Sequence, residues 1–276
     1  MESLKADKAT AATSELQAEE PLVLRSDQGP VTTLTLNRRR QFNALSSAML
    51  AALQAQLDKI TADESVRVVI LAAAGKAFCA GHDLKEMRSH PDKAFQQALF
   101  EQCSQMMLTI NHLPQPVIAR VHGLATAAGC QLVAACDLAV AADTAQFATS
   151  GIRVGLFCST PSVAVSRNLS RKKALEILLT GEFIDAAMAE REGLINYAVP
   201  AEELDAAVQR MADAIVAKSP VAVATGKGMF YRQLEMGMED AYAYAAEVMA
   251  CNMMAEDAQE GIDAFIEKRA PVWKGR

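Results

Sequence analysis

Two loops of small residues follow apolar runs, and these are the places where the sequence could do chemistry. Phe78–Leu84 (FCAGHDL) follows the run Arg67–Ala73, and Ala125–Gln131 (ATAAGCQ) follows the run Pro116–Val121. Gly and Ala let the backbone approach a ligand closely, and ligand sites in α/β folds lie beyond the carboxyl ends of strands. If both loops meet at one edge, their N–H groups would bind one carbonyl oxygen, forming an oxyanion hole. The alternative is that each loop only allows a helix to pack closely on its sheet.

Few side chains near these loops could transfer a proton or act as a nucleophile. His82 has an ordinary pKa near 6.5 and could act as a base; the alternative is that its ring faces solvent or caps the loop. Asp83 is more often a hydrogen-bond acceptor that fixes a loop than a base. Cys158–Ser159 lies in a later loop. A cysteine nucleophile needs a lowered pKa and a nearby base, so core packing is the default interpretation.

Other polar groups have structural interpretations. Asp137 and Asp143 flank a predicted strand. The segment 226–228 (GKG) lacks the spacing of a phosphate-binding loop.

The predicted elements place both loops in an α/β layer. A hairpin is predicted from the runs 22–25 and 31–37, and Ser46 is predicted to cap a helix to about residue 60. Arg67–Ala73 is typical of a strand buried on both faces. Further strands are predicted at 116–121, 137–142 and 194–199, and helices at 91–111, 171–180, 185–192, 201–218, 220–234, 237–254 and 256–268. Strands that alternate with helices indicate a parallel α/β fold.

The composition of the chain argues against several classes of function. The net charge of −6 argues against nucleic acid as a partner. Six Cys without a CxxC pair indicate reduced, buried thiols rather than disulfides or a metal site. No apolar run reaches the ~18–20 residues of a membrane span. Residues 1–20 are acidic and lack Arg, which predicts a disordered or frayed tail and a cytoplasmic protein.

Five segments carry a resemblance to a known family. NRRRQFNALS, AFCAGHDLKEM, PVIARVHGLATAAGCQLVAACDLAVA, AQFATSGIRVGL and EGIDAFIEKRAPVW resemble, in collinear order from Leu22 to Trp273, the crotonase (enoyl-CoA hydratase/isomerase) superfamily. The resemblance implies a crotonase-like spiral of ββα units over residues 21–200 and a helical C-terminal trimerisation region over 201–276. It also implies assembly as trimers or dimers of trimers, and a coenzyme A thioester as substrate with no permanently bound cofactor.

The resemblance also implies roles for single residues. The two N–H donors to the thioester oxygen fall on His82 and Ala128. Residues of the coenzyme A channel fall on Arg40, Gln41, Phe42, Ala80, Gly81, Asp83 and Leu84, and residues that reach the nucleotide fall on Phe265 and Lys268. Arg40 and Lys268 are basic, as the phosphates require.

The sequence departs from the family at both catalytic glutamates. Hydratases carry Glu in GGGCE and in a later PE pair; here these positions are Gln131 and Gly151. A general acid or base typically contributes ~10²–10⁴ in rate, so the departure argues against ordinary hydration. Slow hydration, double-bond isomerisation, decarboxylation and thioester cleavage stay open for an enzyme of fatty-acid metabolism. The alternative is a noncatalytic acyl-CoA-binding or scaffold protein.

Overall fold

A computed structural model of the protein describes residues 20–276. The predicted tail, residues 1–20, therefore lies outside the described residues except for Glu20. The chain begins with a hairpin, β1 (Val23–Gln28) and β2 (Val31–Leu36), which turns at Gly29 with a φ of 57°. The helix α1 (Ser47–Thr61) follows, and the Ser46 side chain accepts a hydrogen bond from the Met49 N–H. The predicted hairpin and helix cap are confirmed.

The middle of the chain repeats one pattern. A strand of a large sheet is followed by a short strand of a second sheet and then by helices. The first unit is β3 (Val68–Ala73), β4 (Ala77–Cys79), α2 (Leu84–Ser89) and α3 (Lys93–His112); the second is β5 (Val117–Val121), β6 (Leu124–Thr126) and α4 (Ala128–Ala135); the third is β7 (Leu138–Ala142), β8 (Gln146–Ala148), α5 (Ser159–Asn168) and α6 (Arg171–Thr180). The amino-acid sequence shows no matching internal repeat, because the three units form the same elements from different residues.

The two sheets differ in size. The large sheet has the order β1-β2-β3-β5-β7-β10, with β10 at Tyr197–Val199, and is parallel from β2 onward. The small sheet has the order β4-β6-β8-β9, with β9 at Ile184–Asp185 before α7 (Ala186–Glu192). Parallel strands need crossover helices, and α1, α3 and α4 supply them. The predicted parallel α/β architecture is confirmed.

Strand β3 shows where the core lies. All six of its residues are buried, and its side chains alternate between two clusters. Val69 and Leu71 join the main core with α1, α3 and α4, whereas Val68 and Ile70 pack toward α8 (Leu204–Val216) on the other face. The predicted burial on both faces is therefore confirmed.

Three helices complete the chain: α9 (Pro220–Gln233), α10 (Met238–Met253) and α11 (Glu256–Glu267). No residue of α9 or α10 is fully buried within the described chain. Helix α9 is held by Lys227, whose Nζ donates to the Ile110 and Gln115 carbonyls and to Asp137. Since Lys227 sits in mid-helix and is used structurally, the segment 226–228 forms no phosphate loop. Within the described residues no helix is long and apolar enough to cross a membrane.

Candidate functional site

The two small-residue loops lie side by side. They follow β4 and β6, which pair in parallel with Cys79 opposite Ala125. Gly81 has a φ of 93°, and a β-carbon there would lie 2.8 Å from the Ala127 β-carbon and 3.3 Å from the Ala128 nitrogen. Such contact leaves no room for a side chain and explains the glycine. Convergence at one edge is confirmed, although the strands that deliver the loops are short ones that the sequence pattern assigns to loop.

The start of α4 brings an N–H group to this edge. Ala128 is the first residue of the helix, and Ala127 before it has φ 51° and ψ −120°, a region that favours glycine. Gly129 touches the neighbouring strand so closely that a β-carbon would lie 2.1 Å from the Cys79 carbonyl oxygen. Within residues 20–276 neither the Ala128 nor the His82 N–H has a hydrogen-bond acceptor. Both N–H groups are thus free to bind a ligand oxygen.

A pocket of about 270 Å³ opens beside these N–H groups; we call it the site pocket. Its wall comprises Ala80, His82, Leu84, Met87, Phe100, Ala127, Ala128, residues 150–151, Val154 and residues 156–161. No Asp, Glu, Lys or Arg belongs to this wall among the described residues. An uncharged wall suits an apolar group and gives a buried charge no partner.

His82 belongs to the pocket wall, and its ring packs on Phe100 of the same wall rather than facing solvent. Its Nδ1 is 3.3 Å from the Leu45 carbonyl oxygen, and its ring meets Phe100 edge to face with 5.3 Å between centroids. Nε2 is buried and has no hydrogen-bond partner in the described chain. Burial lowers the pKa of His82 below its ordinary value, and the Leu45 carbonyl and the charge of Glu86 oppose this shift in part. The ring therefore does not face solvent, and its contact with the Leu45 carbonyl agrees with the other half of the sequence-based alternative, in which the ring caps the loop.

Asp83 fixes the loop from the other side. Its carboxylate accepts from the Lys85 and Glu86 N–H groups at the start of α2 and forms an ion pair of 2.6 Å with Arg38. Burial alone would raise the pKa of Asp83, but the bonds from Arg38 and the two N–H groups outweigh it, and the pKa lies below its ordinary value. The Asp83 N–H donates to the Leu45 carbonyl. Asp83 is the loop-fixing acceptor that the sequence favours, and it does not line the site pocket.

The loop that carries Arg38 is held by Asn43. The Asn43 amide donates to the Ala74 and Ala77 carbonyls and its oxygen accepts from the Arg38 N–H. These bonds tie the polar loop to the segment between β3 and β4. Arg38 thus forms an ion pair within the protein, with Asp83, whereas Arg40 is exposed.

The two positions that the resemblance assigns to the family's glutamates, Gln131 and Gly151, are in different surroundings. Gln131 lies one turn into α4, 4% exposed, with an Oε1 that has no hydrogen-bond partner among the described residues, and it is not part of the pocket wall. Gly151 is in the wall, in a 3₁₀ turn at Ser150–Val154. The only ionisable side chains in the described wall are those of His82 and Cys158.

Cys158 has the wrong electrostatics for a nucleophile. Burial raises the pKa of its thiol, and a hydrogen bond from the Gly151 N–H only partly opposes this. The default interpretation of a packed thiol agrees with its 6% exposure. The other predicted structural acid, Asp137, is buried and bonded to Lys227 and to the Tyr231 hydroxyl.

The pocket brings together only part of the predicted site. Ala80, His82, Leu84, Ala128 and Gly151 are in its wall. Gly81 lies behind the wall against Ala127, and Arg40, Gln41 and Phe42 lie outside it, at and just after an exposed 3₁₀ turn. Phe265, 85% exposed, lines a different cavity of about 700 Å³ with Trp273, and Lys268 ends α11 nearby. Neither residue belongs to the described wall of the site pocket, and their expected contact with the nucleotide portion of coenzyme A stays a prediction.

Most of the apolar wall is not predicted by the sequence. Met87, Phe100, Val154, Leu156 and Phe157 come from α2, α3 and the segment before α5. Helix α2 itself is absent from the predicted elements. Phe100 lies next to the core residue Leu99 on α3, and no local sequence pattern distinguishes a pocket residue from a core residue on this helix.

The fold and the two convergent loops define a protein with the crotonase fold. The chain belongs to the enoyl-CoA hydratase/isomerase family, whose profile matches residues 26–276. It is 45% identical over 257 residues to enoyl-CoA hydratase domain-containing protein 3 of Mus musculus, a match that covers 93% of this chain and 86% of that protein. The sequence motifs also resemble those of this group, and the comparison confirms that resemblance.

Comparison with solved structures supports the same family membership. The crystal structure of an enoyl-CoA hydratase from Mycobacterium smegmatis is 59% identical, with a TM-score of 0.91 over 92% of this chain and 99% of that one. The human enoyl-CoA hydratase domain-containing protein 3 is 43% identical, with a TM-score of 0.89 over 91% of this chain and 100% of that one.

One prediction is overturned by the relatives. The related proteins from mouse, rat, frog and human are named as mitochondrial. The prediction of a cytoplasmic location is therefore wrong. It depends on the composition of residues 1–20, where few basic residues gave no sign of an organelle signal.

Proposed function

We propose that this chain binds the coenzyme A thioester of an uncharged acyl group and polarises its carbonyl between the His82 and Ala128 N–H groups. The observation that carries the proposal is that these two N–H groups, on adjacent loops, have no acceptor in the described chain and lie at the wall of one pocket. Preorganised N–H donors stabilise negative charge on an oxygen in a water-poor site. Family membership supplies the thioester as the ligand class.

The pocket wall supports an uncharged acyl group. Apart from the His82 imidazole and the Cys158 thiol, its side chains are apolar or hydroxyl-bearing, and the Ser150 hydroxyl is already bonded to that of Thr126 at 2.7 Å. A carboxylate on the acyl chain would be desolvated without a cation, at a cost of several kcal/mol. This argues for a fatty acyl or enoyl group rather than a dicarboxylic one, and so against decarboxylation.

The remaining parts of the thioester and the assembly are also proposed. Arg40 is exposed and basic, so it suits the coenzyme A phosphates. The C-terminal helices leave large apolar side chains exposed, among them Phe230, Tyr242 and Phe265. Such surfaces mark association sites, and we propose self-association as a trimer or dimer of trimers. In that assembly Phe265 and Lys268 would approach the thioester bound by another copy.

The reaction class is proton transfer next to the thioester, with double-bond isomerisation as its natural outcome. Ordinary hydration lacks both of its carboxylates, at Gln131 and Gly151. A noncatalytic acyl-CoA-binding protein is the second candidate, and the absence of carboxylates in the pocket wall favours it. Turnover of β,γ- and α,β-enoyl-CoA separates the two.

Calorimetry with crotonyl-CoA tests binding, and the vibrational spectrum of a ¹³C-carbonyl crotonyl-CoA tests polarisation. We expect binding and a carbonyl stretch shifted to lower frequency in the complex. Ala128→Pro removes one N–H at the first helical position and is expected to reduce the shift and any turnover by ~10²–10³. Because Ala127 has φ 51° and ψ −120°, a backbone that a following proline disfavours, the folding of this variant is checked by circular dichroism. Ala186→Pro, at the first position of α7, is the matched control. No binding at millimolar concentration, or an unshifted stretch in wild type, would contradict the proposal.

A further inference from the structure

His82 contributes two different groups to one pocket. Its backbone N–H is one of the two free donors, and its ring packs edge to face on Phe100, another residue of the pocket wall. Because the two groups belong to one residue, a thioester bound at the N–H would lie beside the residue that carries the ring. The question is what the ring can do there.

The hydrogen bond of Nδ1 fixes which nitrogen carries the proton. The Leu45 carbonyl can only accept, so the Nδ1 that lies 3.3 Å from it must carry the hydrogen. In the neutral ring Nε2 then holds a free lone pair. Nε2 is buried and has no hydrogen-bond partner in the described chain, so no group of residues 20–276 uses this lone pair.

The surroundings keep the ring in its basic form at neutral pH. Burial lowers the pKa of His82, and Glu86 is the charged side chain that acts on the ring. The nearby Asp83 carboxylate is engaged by Arg38. The Cys158 thiol, which shares the pocket, has a raised pKa and stays protonated. Among the described residues of the wall, the ring is therefore the side chain able to take up a proton.

We propose that the His82 imidazole, through Nε2, takes the proton from the α-carbon of the bound acyl group; this rests on the proposed function. The α C–H bond breaks, and its electron pair forms an enolate whose oxygen is held by the His82 and Ala128 N–H groups. The proton resides on Nε2 as imidazolium, which the Leu45 carbonyl and Glu86 stabilise. It returns to the α-carbon, or to the γ-carbon of an unsaturated chain, which shifts the double bond without any oxidant.

Access to Nε2 requires a local movement. The atom is covered by protein in the empty pocket, and Phe100 packs edge to face on the ring. An acyl group that enters the pocket has to displace Phe100 or turn the imidazole. Phe100→Leu, which shortens this cover while keeping the wall apolar, is expected to speed proton exchange.

The test is deuterium exchange at the α-carbon of butyryl-CoA in D₂O, followed by mass spectrometry, with calorimetric binding measured in parallel. Wild type is expected to bind and to exchange. His82→Gln keeps the backbone N–H and is expected to bind normally while losing exchange by ~10² or more. His122→Gln is the matched control, since His122 bonds the Gly75 carbonyl outside the pocket, and it is expected to exchange as wild type does.

The pH dependence of wild-type exchange provides a second measurement that requires no variant to fold. Exchange is expected to fall as the ring becomes protonated at low pH and to be flat above neutrality. Wild type that binds without exchanging, exchange that persists in His82→Gln, or a profile without an acidic limb overturns the role of His82 and leaves the proposed function standing. Absence of binding in wild type overturns the proposed function itself.

Discussion

The sulfur of Cys158 lies 2.8 Å from the point at which a β-carbon on Gly151 would stand. The Leu156 carbonyl oxygen lies 2.6 Å from the same point. Both atoms belong to the segment that leads into α5 and that forms one wall of the site pocket. Gly151 stands at the position that the resemblance assigns to the family's second glutamate. The space that a side chain there would enter is filled by the chain itself, and the pocket is built around the glycine.

Restoring that glutamate is expected to disturb the fold rather than to restore hydration. Gly151→Glu forces the β-carbon into the Leu156 carbonyl, and overpacking of this kind typically costs ~1–3 kcal/mol. Thermal unfolding should show a lower midpoint. Gly228→Ala is the control, because a β-carbon there meets nothing within 4 Å and lies in α9; alanine in a helix is favoured by ~1 kcal/mol over glycine.

The double variant Gln131→Glu, Gly151→Glu tests the chemistry. We expect little crotonyl-CoA hydration in wild type and no gain to an ordinary hydratase rate in the variant, since its second carboxylate has no cleared space. A wild-type rate near that of an ordinary hydratase would show that the missing carboxylates do not matter. A variant that folds and hydrates fast would show that the segment 151–158 moves freely.

Ala127→Gly is expected to stabilise the protein. Ala127 has φ 51° and ψ −120°, and a non-glycine residue in such a region costs ~1–3 kcal/mol. Glycine removes this strain at an entropic cost of ~0.5–1 kcal/mol, so the free energy of unfolding should rise by about 1 kcal/mol in urea titration. Ala134→Gly, within the same helix, should instead lower it by ~1 kcal/mol. Equal losses in both variants would show that the Ala127 backbone relaxes in solution.

Features set by local residue patterns could be predicted from the sequence, whereas features set by long-range contacts could not. Ser46 caps α1 and the helix 171–180 begins and ends as predicted, because caps and periodicity act over a few residues. Strands β4 and β6 are three residues long and exist through pairing with each other, which no local pattern records. The backbone half of the site, at His82 and Ala128, follows from loop composition and family resemblance, whereas Phe100 enters the pocket only through the packing of α3.

Lys227 and Asp137 form a buried ion pair that fastens α9 to the sheet. Their side chains are 6% and 12% exposed and 2.7 Å apart, and Asp137 also accepts from Val117 N–H and the Tyr231 hydroxyl. Lys227→Met leaves an uncompensated buried carboxylate, so unfolding free energy should fall by ~3–5 kcal/mol. The pair Lys227→Met, Asp137→Asn should lose less than the sum of the single variants.

Lys172→Met is the control for that series, since Lys172 is exposed and surface changes stay within about 0.5 kcal/mol. Urea titration of all four variants measures the differences. A loss in Lys227→Met no larger than in Lys172→Met would show that α9 is held by other contacts.

The burial of His82 makes the stability of the fold decrease as the pH falls. Burial lowers the pKa of His82 in the folded state, whereas the unfolded ring titrates near 6.5. Between these two values the unfolded chain binds more protons, so stability is fully present above about pH 6.5 and is lost as pH falls through that value toward the folded pKa. His122 is also lowered by burial and contributes with the same sign. Urea unfolding at a series of pH values from about 8 to 5 should therefore show a decline that is shallower in His82→Gln, with the His122 share retained. An unchanged decline in that variant would mean that the His82 ring is solvated and titrates alike in both states.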